Sequence, residues 1–142
     1  MRWYASLATS FRTWLAPRPL GRRGEDAAAK YLRRLGYVIV ARGTRDNIGE
    51  IDLVAVEGRT VVFVEVKTRT SHDAGHPADA VDEAKQRRLT RLAISYMKRH
   101  DLLECKARFD VIAITWPDTR GRPTIEHYKD AFEAVGFEGM FS

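Results

Sequence analysis

Apolar positions along the chain follow two periods, and the switches between them mark out the elements. Residues 61–70 read VVFVEVKTRT, β-branched or aromatic at nearly every early step, which predicts a central strand covered on both faces. Upstream, NIGEIDLVAVEGRT leads into that run through Glu57-Gly58-Arg59-Thr60, predicting a hairpin. YVIVARGT (37–44), RFDVIAIT (108–115) and TIEHYK (124–129) read as further strands. Helical spacing takes over in GEDAAAKYLRRLG (24–36), where Ala28, Ala29, Leu32 and Leu35 form one face that Glu25 shares. Acids in the first turn and the terminal Gly36 punctuate this helix. A second helix over 81–100 turns Val81, Leu89, Leu92 and Tyr96 inward and leaves Arg87, Arg91 and Lys98 on a basic side. SHDAGHPAD (71–79) and WPDTRGRP (116–123) are loops, and DAFEAVGF (130–137) reads as a short closing helix. The order is α-β-β-β-α-β with an added β-α end.

A chain of 142 residues has room for one domain with a real core. The body spans 21–142, after a basic, aromatic arm over 1–20 in which Trp3, Leu7, Phe11 and Trp14 form a helical stripe. Such a terminal piece is expected to be mobile. No apolar run approaches the ~20 residues a membrane span needs, and Arg12 breaks any secretory signal. Cys105, the single cysteine, has no internal partner, which suits a reducing cytoplasm.

Charge changes the picture once it is located. The net +5 equals the content of residues 1–23, which hold Arg2, Arg12, Arg18, Arg22 and Arg23 and no acid. Residues 82–109 hold eight basic and four acidic side chains, whereas 110–142 hold three and six. A basic arm and a basic helix on a neutral body are able to meet a polyanion.

The hairpin then supplies candidate chemistry. With Gly58 and Arg59 as turn residues, paired positions sum to 117, so Asp52 lies opposite Glu65 and Glu50 opposite Lys67. Facing carboxylates repel, and a hard divalent cation with oxygen ligands converts that penalty into a site. The plainer alternative is a solvated sheet face neutralised by a Glu50–Lys67 ion pair. Beside a metal, the Lys67 ammonium is suited to hold a phosphate oxygen or orient a water. Glu25 is placed to complete the shell from the first helix.

These residues carry a resemblance. Asp52, twelve intervening residues and Glu65-Val66-Lys67, preceded by a helix bearing Glu25, resemble the PD-(D/E)XK nuclease superfamily. More closely, GRRGEDAAAKYLRRLGY, GEIDLVAVEGRTVVFVEVKTRT and RFDVIAI resemble the bacterial YraN-like family of endonuclease-like proteins, itself similar to the archaeal Holliday junction resolvases. The likeness covers roughly residues 21–135, and it departs from the superfamily in having Ile51 where a proline usually precedes the aspartate. It implies a restriction-endonuclease-like α/β core, αβββαβ, with a mixed central sheet flanked by helices. It implies phosphodiester hydrolysis dependent on Mg²⁺ or Mn²⁺, with Glu25, Asp52 and Glu65 as metal ligands and Lys67 as the catalytic lysine. Lys85, Gln86 and Arg88 look like auxiliary contacts to the site or to phosphates, and Arg22, Arg23, Arg87 and Arg91 add cationic surface. Structured or branched DNA is the implied substrate, and a homodimer follows only by analogy with enzymes that cut two strands.

Other features weigh less. His72 and His76 stand four apart in a Gly/Pro loop and read as a surface pair, and Cys105 reads as packing. Two rival classes remain: a nucleic-acid-binding module that keeps the fold without turnover, and a protein-partner adaptor using the aromatic arm.

Overall fold

A computed structural model describes residues 20–70, 81–117 and 121–136. The arm over 1–19, the loop containing His72 and His76, and the end of the chain lie outside the described residues. Among those described, the order is α1 (Leu20–Arg34), β1 (Val38–Arg45), β2 (Glu50–Glu57), β3 (Thr60–Thr70), α2 (Glu83–Arg99), β4 (Lys106–Trp116) and β5 (Thr124–Phe132).

The five strands lie side by side in sequence order. β1, β2 and β3 form an antiparallel meander, β4 runs parallel to β3 after the α2 crossover, and β5 returns antiparallel to β4. This is the mixed α/β architecture that the periodicities predict, with αβββαβ as its core. The hairpin has the expected register, from Glu57 opposite Thr60 to Leu53 opposite Val64. Gly58 takes φ of 61° while Arg59 stays negative, the pattern of a type II′ turn.

Each helix buries one face against one side of the sheet. Ala28, Ala29 and Leu32 of α1 pack on Leu53, Val62, Val64 and Ile112. Leu89, Leu92, Tyr96 and Met97 of α2 pack on Val54, Phe63, Phe109 and Val111. With both faces covered, β3 reads as a nearly continuous apolar run. No helix among the described residues is long and apolar enough to cross a membrane.

Three expectations need correction. α1 begins at Leu20, so its first turn carries Arg22 and no acid, and Glu25 and Asp26 lie further in. Gly24 is therefore an interior residue, and packing demands it: a Cβ there would overlap Thr68 Oγ1 on β3. Leu35 lies past the helix end and is 55% exposed instead of joining the apolar face. There Gly36, at φ 94°, closes the helix while Tyr37 N–H returns to Leu32 C=O at 3.0 Å, as in a Schellman cap.

The closing helix expected over 130–137 does not form among its described residues. Residues 130–132 extend β5, and 133–136 are not helical. Phe132 stacks on Phe109 with ring centroids 4.6 Å apart, and Val135 N–H donates to Thr90 Oγ1 of α2 at 3.1 Å. These tertiary contacts override a local preference that rests only on Ala and Glu spacing.

Candidate metal centre

Strand alternation should put Ile51 and Leu53 on one face. Instead, Ile51 packs in the α2-side core and Leu53 in the α1-side core, so β2 changes face across Asp52. The paired positions of the β2–β3 ladder stop at Leu53 and Val64, and Asp52 Oδ2 accepts from Val66 N–H at 2.8 Å. Asp52 thus sits where two central strands part, within reach of groups from both layers.

α1 supplies the first of those groups. It crosses β3 where Gly24 meets Thr68, and successive helical residues are rotated by about 100°. Glu25 is thereby turned towards β2, where carboxylate oxygens of Glu25, Glu50 and Asp52 all lie within 4.8 Å of one another. Burial above all, then the negative charge of Glu65 and, less, those of Glu25 and Glu50, together push the Asp52 carboxyl up to about 8 against the lowering effect of the Val66 N–H. Burial also raises Glu25, helped by Glu50 and Asp26 and opposed by Arg42 and Arg22.

The hairpin places Glu65 beside this cluster, at 8% exposure. Its Oε1 receives Lys85 Nζ at 2.5 Å. Lys85 is anchored in the first turn of α2, where the Asp82 cap accepts from its backbone N–H at 2.8 Å. Lys67 is half-buried on the same strand and makes no ion pair among the described residues. The Glu50–Lys67 pairing does not occur, because Glu50 is held by Arg45 at 2.7 Å from Nη2 and 3.1 Å from Nε.

The remaining candidates divide into two groups. Gln86 Nε2 donates to Val81 C=O, just before α2, at 3.0 Å, and Arg87 pairs with Glu83 one turn back at 2.9 Å, so both are engaged at the start of α2. Arg88 packs beside Gly49, next to Glu50, and Arg91 is exposed. On α1, Arg22 is exposed and its charge reaches Glu25, while Arg23 lies over the Trp116 ring, 4.4 Å from its centroid.

The structure therefore brings Glu25 and Asp52 together, with Glu65 close enough to perturb Asp52. It adds Glu50, whose spacing of two from Asp52 along one strand is the signal that marks it in the sequence. Three crowded carboxylates repel one another, and hard oxygen donors suit a divalent ion. Glu25, Glu50 and Asp52 are the residues that could hold it.

The fold and this acidic strand end define a nuclease-related α/β domain of the PD-(D/E)XK group. The chain belongs to the uncharacterised protein family UPF0102, which it matches over residues 24–114, in keeping with the YraN-like resemblance. It is 53% identical over 125 residues to a UPF0102 protein of Rhodopirellula baltica, covering 86% of this chain and 75% of that one. A UPF0102 protein of Geobacter sulfurreducens is 51% identical over 116 residues, covering 80% of this chain and 88% of its own. One from Rhodococcus opacus is 46% identical over 113 residues, covering 80% and 95%.

Proposed function

We propose that this protein is a divalent-metal-dependent endonuclease that hydrolyses phosphodiester bonds in structured or branched DNA. The observation that carries the reading is the convergence of Glu25, Glu50 and Asp52 within 4.8 Å, with the Asp52 carboxyl pushed up to about 8. Such perturbation concentrates at functional sites. Mg²⁺ or Mn²⁺ would supply Lewis acidity at the phosphate and a water acidified for attack. Asp52, with Glu25 and Glu50, would hold the ion, and Glu65 would complete the shell once Lys85 is drawn off it. Lys67 would bind a non-bridging phosphate oxygen and balance the charge that develops in the transition state. Exposed Arg22, Arg88 and Arg91 would carry the phosphates on either side. A homodimer would present two such centres to a branch.

A non-catalytic binding module is the reading favoured by one observation, that Lys85 and Arg45 already neutralise Glu65 and Glu50. Cleavage of branched and linear DNA in Mg²⁺ and Mn²⁺, run beside thermal melts, separates the two. Asp52→Asn should abolish both cleavage and Mn²⁺ stabilisation. Lys67→Met should abolish cleavage and keep the stabilisation. Undiminished cleavage by Lys67→Met removes the catalytic assignment, and no cleavage by the parent chain leaves the binding module.

A further inference from the structure

α1 meets the sheet at Gly24, so the residues on either side of it are turned towards opposite neighbours of β3. Glu25 faces Asp52 on β2. Arg23 faces β4, where it lies over Trp116. Neighbouring strands are about 4.8 Å apart, so this second contact lies roughly 10 Å across the sheet from the acidic cluster. Trp116 is the last residue of β4 and pairs with Thr70, the last residue of β3, three positions beyond Lys67. It packs against the α1-side core, and its indole N–H is buried without a hydrogen-bond partner. Arg23 itself is exposed, and so is Arg22 beside it.

We infer that Arg23, backed by Trp116, is the stacking platform for an unpaired nucleobase adjoining the scissile phosphate. This rests on the nuclease reading and names the substrate feature that the site selects. A guanidinium supported on an indole keeps its orientation, and Arg23 is exposed. Single-stranded bases stack on aromatic rings and on arginine planes, whereas bases inside a duplex are already stacked and offer no free face. The contact therefore adds affinity only where a base is unpaired, at a fork, a branch or a single-stranded end. Its place on α1, two residues from Glu25, fixes that base relative to the metal cluster. A plain brace between α1 and β4 would use the same pair, but it would not distinguish one nucleic acid from another.

The test is equilibrium binding in chelator, which needs no turnover. Forked, single-stranded and blunt duplex oligodeoxynucleotides of one sequence are titrated into the full chain carrying Trp3→Phe and Trp14→Phe, leaving Trp116 as the only reporter. Forked and single-stranded DNA should quench Trp116, and duplex should not. Arg23→Ala should weaken forked binding by about 5- to 100-fold, the loss of one stacked base, with a much smaller loss on duplex. Arg23→Lys keeps the charge but not the planar face, and should lose discrimination almost as fully. Equal losses on forked and duplex DNA, full rescue by Arg23→Lys, or a lowered melting temperature with unchanged binding overturns the inference while leaving the nuclease reading intact. Failure of the parent chain to bind any of the three overturns the inference, and the cleavage assay in Mg²⁺ and Mn²⁺ judges the nuclease reading separately.

Discussion

Asp52 and Asp110 stand on strands either side of β3, and their surroundings drive their carboxyls in opposite directions. Asp110 is wholly buried, on β4. Burial alone would raise it, but hydrogen bonds from His127, Arg108 and the Asp130 backbone N–H outweigh that and hold it below the usual carboxylate range. Arg108 Nε and Nη2 reach it at 2.9 and 3.2 Å, His127 Nε2 at 2.7 Å and Asp130 N–H at 3.0 Å. The network extends to Glu57 and Tyr37 through Arg108, each at 2.8 Å, and to Tyr31 through His127 at 3.2 Å. Asp52 has one backbone donor and three carboxylates for company. A buried acid that the chain itself satisfies holds strands together. One that the chain leaves surrounded by like charge awaits something from outside.

Substitution by asparagine should separate the two most strongly. Asp110→Asn leaves Arg108 and His127 without their shared anion and should cost ~3–5 kcal/mol. Asp52→Asn should stabilise the metal-free protein instead. The pH dependence has opposite signs as well. The depressed Asp110 contributes stability above the unfolded carboxylate range that is lost as pH falls through its folded value. The raised Asp52 binds a proton more tightly when folded, so stability falls as pH climbs from about 4 towards 8. Asp52→Asn should therefore gain most at pH 8 and above, on the order of a few kcal/mol, and nothing near pH 3. Chelated thermal melts across that range check both, and a destabilised Asp52→Asn at pH 8 would break the contrast.

Mn²⁺ sharpens the comparison. At about 100 times its dissociation constant the ion should raise the melting temperature of the parent chain by ~5–10 °C. Asp52→Asn should show no rise, while Asp110→Asn, melting lower, should keep the full increment. An equal increment in all three would place the ion elsewhere. The smallest effect belongs to the rim of the Asp110 network, where Lys129 pairs with Glu57 at 3.3 Å in the open. Lys129→Ala should move the melting temperature by no more than a degree or so, and a large drop would mean that the network depends on its exposed edge.

Much of this was legible in the sequence because it is local. The meander, its turn and its register follow from alternation and from Gly58-Arg59. Asp52 and Glu65 stand out as charges set into an apolar pattern, and Glu25 by its place on a helix. The Asp110 network left no comparable trace. Its partners come from Glu57, Tyr37 and His127, on different strands or strand ends, and a lone aspartate in RFDVIAIT looks like any strand polar residue. The start of α1 was hidden because Gly24 reads as a boundary when its partner, Thr68, is forty-four residues away. The closing helix failed for the same reason: Phe109, which captures Phe132, is invisible to local propensity.

The parallel ladder between β3 and β4 has a kinetic consequence. Every pair in it, from Thr60 with Lys106 to Thr70 with Trp116, joins residues forty-six apart in the chain. Loop closure of that length is costly before any contact repays it, whereas the β1–β2–β3 meander needs only short connections. The meander should therefore nucleate folding, with β4 docking late. Gly58→Ala, strained at its positive φ, should slow refolding, whereas Val111→Ala should mainly speed unfolding. Stopped-flow chevrons that show the reverse would relocate the nucleus. On this order Asp52 and Glu65 meet early, and the Arg23–Trp116 contact closes only with the last strands, so a chain caught part-way would hold its acids together before it could grip a base.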